Sequence, residues 1–240
     1  MKFQARLARG RLLFRFADNG NEKSTAYRLR RARVRKFAAL LEPVDGELRI
    51  LDVGGSAEFW LAYRDELHRP AAITVLNQSF GKQPRLPWIT YVSGDARDLQ
   101  MFADQQFDMC FSNSVIEHVD AAGQFRMAKE IRRVARGYFV QTPNAYFPIE
   151  PHFLVPGWQF MPVALRARLL QLRDWGWMKR TPDPLLAREA VESILLLTAA
   201  QLQRLFPDSR IYREKIGLFT KSLTAWRAIE SQSNHSGPAK

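Results

Sequence analysis

Residues 48–60, LRILDVGGSAEFW, constrain the fold more than any other stretch of the chain. An apolar run ends in Asp52, two glycines come at once, and a helix-compatible segment starts after Ser56. A strand that turns on glycine directly into a helix is the opening unit of a doubly wound α/β sheet. In such sheets a ligand binds outside the carboxyl ends of the strands, where a missing side chain lets the backbone approach it. The residues after the turn narrow the choice of ligand. Gly54-Gly55 is succeeded by Ser56, Ala57 and Glu58, so a G-x-G-x-x-G fingerprint is absent, and there is no Walker lysine. A phosphate cradle is unsupported, and an unphosphorylated nucleoside suits the turn better.

The chain keeps repeating that unit. Strand-like runs at 48–53, 72–77, 89–92, 107–112 and 138–142 alternate with helix-like stretches near 56–68 and 121–135, and two more strands are expected at 209–216 and 221–227. Fully apolar strands alternating with helices predict a parallel sheet covered on both faces. Charge divides the chain differently: residues 1–40 carry 12 basic and 2 acidic side chains, whereas 41–150 carry 11 and 15. Ser24 is placed to cap a helix reaching about Leu41, with Tyr27, Val34, Phe37 and Leu41 on one face. Arg28, Arg30, Arg31, Arg33, Arg35 and Lys36 cover the rest. The predicted organisation is a basic helical extension over 1–45, a main domain over 46–230 with an aromatic, proline-rich insertion at 144–185, and a disordered tail at 231–240. The single cysteine, Cys110, excludes an intramolecular disulfide and a Cys-built zinc site. No stretch reads as a secretory signal or a spanning helix, because Tyr138 to Leu165 holds five prolines. The reading is cytoplasmic, with membrane association left open.

Four segments in order, LDVGGS, TVLNQS, SGDARDL and FDMCFSNSVIEHV, resemble the class I S-adenosylmethionine-dependent methyltransferases, in particular the type 11 and ubiquinone-type members. The resemblance covers roughly residues 47–143. It implies an α/β, Rossmann-like seven-stranded methyltransferase fold, an insertion after strand five serving as a lid, and S-adenosylmethionine as cofactor. By the same resemblance, Gly54 and Gly55 meet the methionine part, and Asp52 fixes their loop or reaches the amino group through water. Asn77 and Gln78 hold the ribose, Asp95 and Ala96 meet the adenine, and Ser112, Asn113 and Ser114 line the sulfonium end. Two positions depart from the family: one glycine of G-x-G-x-G is missing, and Asn77 stands where an acid normally grips both ribose hydroxyls. An amide oxygen accepts a hydroxyl hydrogen bond without charge assistance.

Methyl transfer to a hydroxyl needs a base within hydrogen-bond reach. Of four histidines, His235 lies in the tail and His68 ends a surface helix, which leaves His118 and His152. Glu150 and His152 are two apart, so an extended segment would point both to one side, and a carboxylate beside an imidazole raises its basicity. The segment YFPIEPH is similar to bacterial methyltransferases of glycan and lipid-linked pathways. His118 comes after strand four, where ubiquinone-type enzymes hold a divalent ion; Ser114 stands in place of one expected acid, so no metal site is assigned. The catalytic candidates are therefore His152, Glu150 and His118. The expected acceptor is a small molecule, a glycan or a lipid-linked sugar, with peripheral contact to an anionic membrane open and nucleic acid disfavoured. An RNA methyltransferase and a non-catalytic binding module stay as alternatives.

Overall fold

The computed structural model describes residues 24–41, 46–69 and 71–229. The basic, aromatic segment before Ser24 and the tail after residue 230 fall outside them. Helix α1 spans Thr25–Ala39, and Ser24 Oγ accepts from the Tyr27 N–H at 2.9 Å, as the capping signal requires. Next in the chain are β1 (Leu48–Val53), α2 (Ala57–Tyr63), β2 (Ala71–Asn77), β3 (Ile89–Ser93), β4 (Phe107–Asn113), α3 (Ala121–Val134) and β5 (Ala135–Pro143). After β5 come a two-residue pair, β6 (Ile149–Glu150) and β7 (Val155–Pro156), and helices α4 (Val163–Leu172), α5 (Pro184–Glu192) and α6 (Ala199–Leu205). Strands β8 (Arg210–Ile216) and β9 (Phe219–Arg227) close the fold.

The main sheet has seven strands in the order β3-β2-β1-β4-β5-β9-β8. The first five are parallel and β9 runs antiparallel to both neighbours. Strand order reverses between β1 and β4, so a crevice opens at their carboxyl ends, next to the Gly54-Gly55 turn. The interior of β4 explains its central place: every residue from Phe107 to Ser112 is buried, as a strand covered on both faces must be.

One core, with Met127, Ile131, Phe206 and Leu223, fills the face under α3 and α6. The opposite face is closed by α1. Phe37 of α1 packs against Trp60, Phe111 and Phe139, and burying a side chain of this size contributes about 1.5–3 kcal/mol. The apolar face expected for α1 is therefore seated on the sheet. Its cationic face differs from the expectation: Arg33 is buried against Glu214, and Arg31 and Arg35 both reach Glu66 at 2.5 and 2.6 Å. Among the described residues no helix is long and apolar enough to cross a membrane.

The aromatic insertion builds a core of its own from Phe153, Trp158, Ala167, Leu170, Ala187 and Val191, with α4 packed on α5. Its helical part runs on to Glu192, past the expected boundary at 185.

Candidate active site

A cleft of about 410 Å³ opens over the carboxyl ends of β1, β2 and β3. Of the residues assigned to a cofactor from the sequence, Gly54, Asn77, Gln78, Asp95 and Ala96 line it, together with His118. Gly54 has φ +75°, and a Cβ there would overlap Val115 across the mouth of the cleft, so both its conformation and its clearance require glycine. Asn77 Nδ2 donates to the Gly55 carbonyl at 2.7 Å, which leaves the amide Oδ1 as an acceptor. Asp95 accepts from the backbone N–H and the guanidinium of Arg97, at 2.9 and 2.6 Å. Those bonds hold its carboxyl below the usual range, against some desolvation. Arg97, unmarked in the sequence, thereby joins the cleft wall.

The other assigned residues lie beside the cleft. Asp52 sits beneath the turn, accepting from Trp60 Nε1 at 2.6 Å, and a Cβ on Gly55 would collide with its carboxylate. Burial pushes Asp52 up to about 7, with the Trp60 bond pulling the other way. Ser112 Oγ donates to the Val53 carbonyl at 3.2 Å. Asn113 Oδ1 is held by Arg33, and Ser114, at φ +58°, donates to Gln141 Oε1 at 3.0 Å. The expectation that these three line the sulfonium end thus meets a different arrangement: Ser112 ties β4 to β1, while Asn113 and Ser114 tie its tip to α1 and β5.

The three catalytic candidates come together. The His118 and His152 rings stand edge to face with centroids 4.9 Å apart, and His118 borders the cleft. His152 Nδ1 lies 2.7 Å from Glu150 Oε1, and Glu150 Oε2 accepts the backbone N–H groups of His152 and Phe153 at 2.8 and 2.7 Å. The pairing arises from a tight turn after β6, closed by the Leu154 N–H to the Glu150 carbonyl at 2.8 Å, rather than from an extended segment. With the proton on Nδ1 facing the carboxylate, Nε2 is the free acceptor. Burial works against charging His152, but the bond and charge of Glu150, helped by Glu117, win and raise it. His118 has no such carboxylate bond among the described residues, and burial, with the neighbouring His152, lowers it.

Glu117, which directly precedes His118 and belongs to the acid-and-histidine pattern that Ser114 breaks, is not among the catalytic candidates named from the sequence. Its side chain is fully buried; Oε2 accepts from Thr142 Oγ1 at 2.9 Å, and Oε1 has no partner among the described residues. Burial pushes it up to about 7, against the pull of His152 and Thr142. Glu117, His118 and His152 each place one donor atom within 4.8 Å of the others. That spacing is within reach of a divalent ion.

Residues 68–140 match the family described as a methyltransferase domain. An uncharacterized protein of Mycobacterium tuberculosis is 30% identical over 113 residues, which is 44% of this chain and 38% of that protein. The chain thus spans under two fifths of the length of the curated relatives it matches. The crystal structure of the PH0226 protein from Pyrococcus horikoshii aligns over 88% of this chain and 94% of that one, at TM-score 0.50 and 16% identity. That likeness is one of fold. Sheet order and the glycine turn at the switch point are those of the Rossmann-like methyltransferase fold, and residues 68–140 are similar to the methyltransferase-domain family.

Proposed function

We propose that the protein transfers a methyl group from S-adenosylmethionine to a hydroxyl of a small-molecule, glycan or lipid-linked acceptor. The observation that carries this reading is a nucleoside-sized cleft whose rim histidine, His118, touches a second histidine already oriented by a buried carboxylate. The cleft residues fit the cofactor. Gly54 offers backbone where a side chain would fill the opening, Asn77 keeps an amide oxygen for a ribose hydroxyl, and the Asp95–Arg97 pair offers both acceptor and donor groups to a base edge. Lowered His118 is neutral, so it presents no like charge to a sulfonium.

When bound, S-adenosylmethionine supplies an activated methyl group that needs no further electrophile. The protein's task is then alignment of the acceptor and removal of one proton. His152 takes the hydroxyl proton on Nε2, and Glu150, fixed by two backbone N–H groups, stabilises the imidazolium that results. Calorimetric titration with S-adenosylmethionine and S-adenosylhomocysteine tests the reading first, and micromolar or tighter binding is expected. A folded protein that binds neither would overturn it. Acceptor class is then read by methyl incorporation into sugar-lipid extracts against RNA.

A further inference from the structure

We propose that the α4–α5 hairpin tip is a docking surface for an anionic lipid bilayer, and that it holds the His152 site against the membrane face. The second half of that statement rests on the function proposed above; the first does not.

The hairpin satisfies its own packing inward, through Ala167 and Leu170 of α4 and Ala187 and Val191 of α5. Four large outward apolar side chains cluster where α4 stops and α5 begins, whereas near the start of α4 Leu165 is 45% exposed. Leu172 is 72% exposed, Trp177 51%, Leu185 73% and Leu186 56%. Single exposed apolar residues are ordinary, but four large ones at one tip need an occupant. The connection between the helices is itself ordered. Thr181 N–H donates to the Leu170 carbonyl at 3.1 Å, Arg180 Nε donates to the Gln171 carbonyl at 3.0 Å, and Asp183 caps α5. These side chains are therefore presented by a defined turn.

Charge selects the occupant. The tip carries Arg168, Arg173, Lys179 and Arg180. Its two acids are engaged locally, Asp174 with Lys179 at 3.2 Å and Asp183 with the first N–H groups of α5. At the far end of α5 the exposed acids Glu189 and Glu192 are offset by Arg188, which pairs with Glu192 at 3.1 Å. The tip is apolar and net basic while the other end is close to charge balance, which favours a tip-down orientation on an anionic surface. A second copy of the chain would bring like-charged tips together. The tip also reaches the site through backbone: Trp177 N–H donates to the His152 carbonyl at 2.8 Å. Seating Trp177 in the headgroup layer would place His152 beside hydroxyls of a membrane-held acceptor.

The test is co-sedimentation of the full chain with vesicles of phosphatidylcholine alone or mixed with phosphatidylglycerol, without cofactor. Enrichment on the mixed vesicles, weakened by salt, is expected. Because residues 1–40 are also basic, the tip variants decide the site. Arg168→Gln with Lys179→Gln should weaken binding by roughly 25-fold, about fivefold for each cation. Leu185→Ser with Leu186→Ser should weaken it by about tenfold or more, with circular dichroism unchanged. Absence of vesicle binding, or binding untouched by both variants, overturns the proposal. A dimer lost in the leucine variant, with no vesicle binding, would assign the surface to a second copy. A protein that binds vesicles but not S-adenosylmethionine leaves the docking surface standing and removes the enzymatic reading.

Discussion

Two buried charged clusters flank the carboxyl end of β5, on opposite faces of the sheet, and they are built to different standards. Gln141 and Thr142 are neighbours whose side chains point to opposite faces, as pleating demands. On the α1 side, Gln141 Oε1 accepts from Arg33 at 3.1 Å, and Arg33 meets Glu214 through Nε and Nη2 at 3.3 and 3.0 Å. Ser222 donates to the same carboxylate at 3.0 Å. On the α3 side, Thr142 serves one oxygen of Glu117 and no described residue serves the other, with two histidines close by. A buried ion pair with every oxygen engaged pins a helix to a sheet. A buried carboxyl left half-partnered is kept at a stability cost, and such groups gather where protons move. Both clusters look alike as a tally of buried charges; hydrogen-bond satisfaction separates them.

The contrast breaks or holds first at His152. Alanine there should lower turnover by about 10²–10⁴-fold while S-adenosylmethionine affinity by calorimetry stays within error. Unchanged turnover would remove His152 from the chemistry and make both clusters structural. Arg33→Met tests the other side. It leaves Glu214 buried with Ser222 and a distant Lys221, and should lower the unfolding free energy in urea by about 3–5 kcal/mol. Adding Glu214→Leu should restore most of that loss, since an apolar pair of similar volume needs no partners. An Arg33→Met protein of undiminished stability but lost turnover would invert the assignment.

The frame was legible because it depends on local signals. Apolar runs of strand length, the Gly54-Gly55 turn and the Ser24 cap each carry their structural meaning within a few residues. The cleft positions Asn77 and Asp95 come from the same frame, since Asn77 ends β2 and Asp95 lies just past β3. Arg33 was not legible: on a helical wheel it sits among solvated arginines, and its partner Glu214 is 181 residues away. In the insertion, Trp158 is buried and Trp177 exposed, yet no periodicity in a proline-rich loop separates them. Glu117 was only partly legible. With Ser114 in place of the second acid its pattern was incomplete, and only the Thr142 contact and the packing of the short helical turn Ile116–His118 against β5 show Glu117 to be interior.

The finest test of the contrast is the pH dependence contributed by Glu117. In the folded protein burial raises this carboxyl from 4.5 to about 7. Unfolded, it releases its proton near the lower value. Between the two, the folded state binds more protons, so stability falls as pH rises through this window and levels off above it. Glu117→Gln keeps the shape and the Thr142 bond but cannot ionise. The difference between wild-type and variant unfolding free energies should therefore grow from pH 5 to 7 by roughly 1–3 kcal/mol in the variant's favour. Asp52, also raised to about 7, contributes the same slope to both proteins and cancels in that difference. The variant also removes a charge that helps hold His152 up, so the acid limb of its activity profile should move to lower pH. Superimposable stability curves would mean that Glu117 is ionised and fully partnered across this range, and the two faces of β5 would then be alike.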